Sequence, residues 1–147
     1  MFNASLIDVP RPLVDPISCL IEAVSVASLG IRRPLRCGTI IISMNQNGCG
    51  QGIIATQPVT KKSAHSLIGL CSGVPDTTSV VLVSTRTQPP IDPDDVELLD
   101  HLTHLFSTAG ITLVDWVVVG HGGLYCPRSL TDLPDPWDTA FGFGNLF

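Results

Sequence analysis

Charged and aromatic residues are scarce in this sequence of 147 residues, at 14% and 5% respectively. Acidic residues outnumber basic ones by 13 to 8, which gives a formal net charge of -5. Proteins that hold nucleic acids through phosphate contacts need a dense basic surface, and proteins that stack on bases need aromatic side chains. We therefore expect no strong binding to nucleic acid. A hydrophobic fraction of 44% also excludes a disordered chain.

Long apolar runs are missing as well, although the mean hydropathy is +0.37. The longest runs, Ile17–Leu29 and Leu113–Val119, are interrupted by polar residues such as Glu22 and Asp115. A membrane-spanning helix needs about 20 predominantly apolar residues, and the first residues lack the basic and long apolar regions of a signal peptide. We expect no membrane association and a cytoplasmic location.

No Cys-x-x-Cys pair occurs among the five cysteines, and their odd number does not suit a disulfide framework. This pattern argues against a structural zinc site and favours reduced, mostly buried thiols. Cys49 stands between Gly48 and Gly50 in a polar loop, which makes it the candidate for a reactive thiol. No base near it in the sequence supports a catalytic role.

The chain is long enough for one domain with a substantial core. We interpret residues 1–15 as an N-terminal arm, residues 16–126 as the core, and residues 127–147 as a tail rich in proline, aspartate and phenylalanine. Asp15 followed by Pro16 predicts the start of the first helix. We expect the aromatic residues of the tail, among them Trp137, to dock on the domain itself or on a second copy.

Hydrophobic periodicity predicts strands that alternate with helices along the core. This pattern is typical of an α/β fold with three layers, in which a mixed sheet is flanked by helices. After the first helix, the predicted elements are a hairpin with strands at 39–43 and 52–56, a helix at 60–72, a strand at 79–84, a helix from 92 that ends at Gly110, a strand at 113–119 and a short final strand.

The run from Asp92 to Asp95 is the clearest helix start, because a capping aspartate and a proline precede carboxylates that face the positive end of the helix dipole. Later on this helix, His101 and His104 share a face with Glu97. That face is either a group of metal ligands or a solvated surface with i, i+4 charge pairs. His121, in a glycine turn after a buried strand, is either a ligand or acid/base group or an exposed, inert side chain.

Three stretches of the second half are the most specific in the sequence. Pro93–Leu99 is a proline-initiated acidic helix start, Ala109–Gly120 contains a Gly-Ile…Leu-x-Asp strand, and Gly122–Pro127 contains a Gly-x-Tyr hairpin. In this pattern and in the order of its elements, the chain resembles the RadC-like branch of the JAB/MPN family over about residues 36–129. The resemblance implies a JAB/MPN domain of the cytidine-deaminase-like α/β type.

The active members of that family are zinc hydrolases. The resemblance implies two histidines and an aspartate as zinc ligands, a glutamate that takes a proton from the bound water, and a serine that stabilises the oxyanion. When Asp95 is taken as the aspartate, the serine falls at Asp92 and the two histidines fall at Ser84 and Leu82. The glutamate is also missing from its expected place just before Thr39.

Trp116 stands where the family has a further histidine. Leucine cannot bind a metal and serine is a poor ligand, so Asp95 is the one carboxylate that remains. The resemblance therefore implies a domain that kept the scaffold and lost its metal centre, without a cofactor. Asp95 is then either a relic of the centre or an ordinary carboxylate at a helix start, where it contributes about 0.3–1 kcal/mol.

Two functions remain open from the sequence. The first is a non-catalytic binding or scaffold domain, whose cleft around Ser84–Ile91 and Asp95 recognises a protein segment or a small molecule. Because non-catalytic MPN domains pair with other MPN domains, the resemblance also implies a homodimer or heterodimer. The second is a metal-dependent hydrolase with a relocated centre that uses His101, His104, His121 or Asp95.

Overall fold

The structure is a computed structural model, and it describes residues 9–31, 36–87, 92–120, 122–131 and 137. The described helices are α1 (Leu20–Ala27), α2 (Ala64–Ser72) and α3 (Asp95–Thr108). None of them combines the length and the apolar character that crossing a membrane requires. The strands are β1 (Gly38–Met44), β2 (Gly50–Thr56), β3 (Ser79–Thr85), β4 (Thr112–Gly120) and β5 (Gly123–Tyr125), and short 3-10 turns lie at Ser28–Gly30 and Pro127–Leu130.

The five strands form one mixed sheet in the order β2-β1-β3-β4-β5. Strand β3 runs parallel to β4, whereas the other neighbouring pairs are antiparallel. Helix α3 makes the crossover that a parallel pair requires. The predicted α/β class and its mixed sheet are confirmed, and so is the hairpin that β1 and β2 form.

Helices pack on both faces of the sheet. On one face, α2 and α3 contribute to a hydrophobic cluster that contains Phe106, Trp116 and Leu82. On the other face, α1 contributes to a second cluster that contains Ala23 and Val83. Successive residues of β3 alternate between the two clusters because side chains of a strand point to opposite faces. The described residues therefore form three layers.

Helix α1 begins at Leu20, so the predicted start at Asp15 and Pro16 is wrong. The carboxylate of Asp15 accepts hydrogen bonds from the backbone and the side chain of Arg11 instead of capping a helix. Pro16 forms an isolated β-bridge with Cys49. This extended pairing with the hairpin loop keeps residues 16–17 out of the helix, which is a tertiary contact that local propensity does not reveal.

Helix α3 begins at Asp95, three residues after the predicted start at Asp92, and its N-cap residue Asp94 makes no side-chain capping bond. The carboxylate of Asp92 accepts a hydrogen bond from the Asp94 N–H at 2.9 Å. The carboxylate of Asp95 accepts a second one from the Asp92 N–H at 3.2 Å. These bonds satisfy amide groups of the turn that leads into the helix. They also hold the Asp95 side chain at the N-terminus of the helix.

The hairpin loop buries the thiol that the sequence singles out. The side-chain oxygen of Asn45 accepts hydrogen bonds from the N–H groups of Asn47 and Cys49, and Gly48 has a positive φ of 78°. Because the loop folds inward in this way, Cys49 is only 5% exposed. The prediction of a reactive Cys49 is therefore wrong. The expectation of mostly buried thiols is also wrong, since Cys49 and Cys71 alone are buried among the five.

Candidate functional site

Five polar or aromatic side chains gather where β3 ends, beside the first turn of α3. Thr39 comes from β1, Ser84 from β3, Arg86 from the residue after β3, Asp95 from α3, and Trp116 from β4. We call these five residues the Arg86 cluster. They lie on the face of the sheet that α2 and α3 cover.

The inner part of the Arg86 cluster is a buried chain of hydrogen bonds. The indole Nε1–H of Trp116 donates to the Ser84 hydroxyl at 2.8 Å, and that hydroxyl lies 3.0 Å from the hydroxyl of Thr39. Thr39 also accepts a hydrogen bond from the Val59 N–H at 3.2 Å. Each buried polar group here has a partner, which avoids the cost of an unsatisfied donor or acceptor.

The outer part of the cluster is an ion pair. Two terminal nitrogens of Arg86 donate to the two carboxylate oxygens of Asp95, each at 2.8 Å. The Asp95 side chain is 3% exposed, and that of Arg86 is 22% exposed. The hydrogen bonds to Asp95 raise the pKa of Arg86, whereas burial acts in the opposite direction. The guanidinium also lies 5.6 Å from the centre of the Trp116 ring, within the range of a cation–π interaction.

The structure places most of the residues singled out by the resemblance in or beside this cluster. Ser84 contacts Trp116 directly, and Asp95 contacts it through Arg86. Leu82 is fully buried and is the register partner of Trp116 across β3 and β4. Asp92 differs, because it is exposed and its carboxylate accepts a hydrogen bond from the Asp94 N–H in the turn before α3.

The residues of the alternative metal site are not gathered around an ion position. In the described part of the chain, no three His, Cys, Asp or Glu side chains lie close enough together to hold a metal ion. His101 is half-buried and His104 is exposed on α3, while both oxygens of Asp95 are hydrogen-bonded to Arg86. His121 lies outside the described residues.

The polar face of α3 carries an ion pair to the turn that precedes α2. Lys61, just before α2, donates to the carboxylate of Glu97 at 2.8 Å, and both side chains are exposed. The hydrogen bond from Lys61 lowers the pKa of Glu97, and a smaller contribution in the same direction comes from His101. This arrangement is typical of a solvated helix face.

Asp115 anchors the chain that follows the sheet. Its carboxylate accepts hydrogen bonds from the Trp116 N–H at 2.8 Å and from the indole of Trp137 at 3.1 Å, and Arg128 lies 3.6 Å away. Burial raises the pKa of Asp115, although these three partners oppose the shift. Trp137 packs against the cluster on the α1 side, so this tail residue docks on its own chain as expected. The other aromatic residues of the tail lie outside the described residues.

The hydroxyl of Tyr125 is a buried polar group next to the Arg86 cluster. It is shielded from solvent, and no hydrogen-bond partner for it is found among the described residues. Burial raises its pKa, and the negative charge of Asp95 adds to the effect while Arg86 opposes it. The charges of both Arg86 and Asp95 therefore affect the pKa of this hydroxyl.

Cys37 is the thiol that sequence reasoning missed. It is exposed, and its sulfur lies 3.6 Å from the Thr87 hydroxyl. Hydrogen bonds from the backbone and hydroxyl of Thr87 lower its pKa, with a smaller contribution from Arg86. Cys37 lines a pocket of about 440 Å³ at the same end of the sheet. Thr87 is 50 residues away in the sequence, so spacing could not reveal this pairing.

Arg86 is the second residue of this site that sequence reasoning missed, since together with Lys61 and Lys62 it suggested only a small basic spot or an ordinary surface. Its position just after a buried strand and ahead of an acidic helix start was a usable signal, since a cation there can reach the helix.

Comparison of the whole chain with protein-family models finds no match, and comparison with curated proteins finds none either.

Proposed function

We propose that this protein is a non-catalytic binding or scaffold domain that resembles the RadC-like branch of the JAB/MPN family, and that Arg86 takes the place of its metal ion. The bidentate ion pair between Arg86 and Asp95 carries this proposal. The family part of the proposal rests on the sequence pattern and on the order of the elements along the chain.

The positions of the family's zinc ligands are occupied by other interactions or lack donor atoms. The oxygens of Asp95 accept two hydrogen bonds from Arg86 at 2.8 Å and one from the Asp92 N–H, and the guanidinium charge beside them repels a cation. The Ser84 hydroxyl is bonded to Trp116 and lies against Thr39. Leu82 has no donor atom. These positions therefore offer neither of the two imidazoles that a hydrolytic zinc ion requires, and Arg86 holds the one carboxylate.

Arg86 supplies a positive charge without the chemistry of a metal ion. A guanidinium neutralises the buried carboxylate, but it keeps its protons and has donors only. It has no open coordination position, so it does not lower the pKa of a bound water as zinc does. The cluster thus stabilises the end of the sheet and the start of α3, and it holds this surface in one shape.

Metal analysis of the purified full-length chain tests the proposal. The protein is equilibrated with excess zinc, dialysed, and examined by elemental mass spectrometry. We expect well below one zinc per chain. One tightly held, chelator-sensitive zinc per chain would overturn the proposal and would favour the relocated hydrolase centre.

Introducing a metal site tests whether Leu82, Ser84 and Asp95 occupy the positions of the family's zinc ligands. In the variant Leu82→His/Ser84→His/Arg86→Ser, two imidazoles face a released Asp95. We expect this variant to bind one zinc by calorimetry. A matched control that also carries Asp95→Asn should bind far more weakly, since it lacks the carboxylate. A folded triple variant, verified by circular dichroism, that binds no zinc would contradict the assignment.

A further inference from the structure

A pocket of about 440 Å³ opens at the end of the sheet where β1 begins. Its walls come from the start of β1, from the ends of β2 and β3, and from Gly30 and Ile31 after α1. Pockets that bind small molecules have volumes of about 300–1,000 Å³ and combine apolar walls with a few polar groups. This pocket therefore has the size of a site for a small ligand.

The lining of the pocket is apolar on one side and positively charged at one point. Ile31, Ile40 and Ala55 form an apolar wall, and Arg36 is the charged residue. Arg36 is exposed, and its side chain forms no ion pair within the described ranges. No Asp or Glu is found among the described lining residues. An unopposed positive charge in a concave site attracts anions.

The sheet fixes the position of the Cys37 thiol in this pocket. The Thr85 hydroxyl donates a hydrogen bond to the carbonyl oxygen of Arg36, and Gly38 is the register partner of Thr85 across β1 and β3. Cys37 lies between these two anchored residues, and its sulfur is 3.6 Å from the Thr87 hydroxyl. The nucleophilic atom thus stands beside the apolar wall and Arg36 in a defined place.

The surroundings of Cys37 favour its reactive form. Thr87 lowers the pKa of the thiol through two hydrogen bonds, and the charge of Arg86 acts in the same direction. The thiolate is the form that attacks disulfides. A thiol with a lowered pKa inside a pocket that attracts anions is suited to react with a negatively charged, thiol-reactive molecule.

We propose that Cys37 is a modification site, at which the pocket accepts a small disulfide that carries carboxylates and retains one half of it as a mixed disulfide. Arg36 binds a carboxylate of this ligand, and the apolar wall contacts its methylene groups. The site goes beyond the proposed function, which depends on the ion pair between Arg86 and Asp95.

The reaction is a thiol–disulfide exchange. The sulfur of Cys37 attacks one sulfur of the ligand, a new S–S bond forms, and the original S–S bond of the ligand breaks. The other half leaves as a thiolate and takes up the proton that Cys37 has lost. Cys37 is oxidised and the departing half is reduced, so the exchange requires no further oxidant.

Two disulfides of opposite charge test the proposal on the full-length protein near neutral pH. The rate of adduct formation at Cys37 is measured by peptide mass spectrometry with oxidised glutathione, which is an anion, and with cystamine, which is a cation. Each rate is divided by that of the neutral model thiol N-acetylcysteinamide, which cancels the intrinsic reactivity of each disulfide. We expect Cys37 to prefer the anion by about tenfold.

Charge changes in the pocket test the role of its lining. Arg36→Glu should lower the preference at least about fivefold, and Ala55→Glu, at an exposed position of the apolar wall, should lower it too. Lys62→Glu, an equal change of charge at an exposed site outside the pocket, should leave it unchanged. Salt at about 1 M should reduce the preference, because the Debye length falls to about 3 Å.

The ratio of the two rates separates the pocket from the thiol itself, because a thiolate without a binding site reacts equally well with either disulfide after the correction. Equal corrected rates in the wild type would overturn the proposal. A preference that survives Arg36→Glu in a protein shown to be folded by circular dichroism would overturn it as well. Neither outcome affects the proposed function, which bound zinc would overturn.

Discussion

Arg86 and Asp95 are joined by two hydrogen bonds of 2.8 Å each, although nine residues separate them in the sequence. The carboxylate is almost wholly buried at the start of α3, and the guanidinium lies over the ring of Trp116. A buried charge costs several kcal/mol unless a partner neutralises it, so each member depends on the other. This dependence makes the ion pair the most informative place for mutation.

Removing one member of this pair should destabilise the fold strongly. We expect Arg86→Met to lower the free energy of unfolding by about 3 kcal/mol, because it leaves Asp95 buried without a counter-charge. The double variant Arg86→Met/Asp95→Leu should recover much of that loss, as it removes both charges. Urea unfolding followed by circular dichroism measures both effects.

The exposed pair between Lys61 and Glu97 provides the control. Lys61→Met should cost less than about 1 kcal/mol because solvent screens both charges. If the two single variants lost similar amounts of stability, the Arg86 pair would not have the buried character that we describe.

The hydrogen bond between Trp116 and Ser84 should contribute a measurable coupling energy. Trp116→Phe removes the indole donor, and Ser84→Ala removes its acceptor. We expect a double-mutant cycle to give a coupling of about 1 kcal/mol. Ser66→Ala, on the exposed face of α2, should change stability by less than about 0.5 kcal/mol. A coupling near zero would contradict the bond.

Asp115 should make stability fall as pH rises. Burial raises its folded-state pKa above the ordinary 3.8, so the folded protein holds the proton more tightly than the unfolded chain does. Its contribution is therefore most favourable below pH 3.8 and is lost as pH rises through the raised pKa. The variant Asp115→Asn cannot titrate there.

The comparison of Asp115→Asn with the wild type isolates this contribution. We expect the difference in free energy of unfolding to shift in favour of the variant from about pH 4 upwards, until Asp115 is fully ionised in the folded protein. Urea unfolding at a series of pH values measures it. A difference that shifts in favour of the wild type would show that the partners of Asp115 outweigh its burial.

Cys37 should be the fastest thiol to react with iodoacetamide near neutral pH. Its pKa is lowered by Thr87, and the thiolate is the reactive form. Cys19 is also exposed and serves as the internal control, while burial raises the pKa of Cys71 to about 11. Peptide mass spectrometry of a time course gives each rate. Thr87→Val should slow Cys37 alone, and an unchanged rate would contradict a role for the hydroxyl.

Local patterns were reliable where a residue's neighbours in sequence determine its structure. The acidic run from Asp92 to Asp95 predicted the presence of α3, although the helix begins at Asp95, and the apolar run at 79–84 predicted β3 because buried strands need continuous apolar side chains. The predicted start of α1 was wrong because Pro16 pairs with Cys49, which is 33 positions away in the sequence. The prediction that Cys49 is reactive failed for the same reason, because the loop that carries Cys49 pairs with the extended segment at Pro16.

The residues of the candidate site were also predicted only in part from the sequence. The resemblance led to Ser84, Asp95 and Trp116, which the structure places around one cluster. It did not lead to Arg86, because a metal motif specifies ligands and says nothing of a positively charged side chain that pairs with one of those positions. Cys37 was missed because its partner, Thr87, comes from a different strand end.

The sequence alone determined the alternation of helices and strands, the mixed sheet and the lack of metal-binding side chains at positions 82 and 84, because residue type and spacing set these properties. Tertiary structure alone decided which charges meet. A salt bridge depends on distances of a few ångströms between segments far apart in the chain, and only the folding of β3 against α3 brings Arg86 to Asp95.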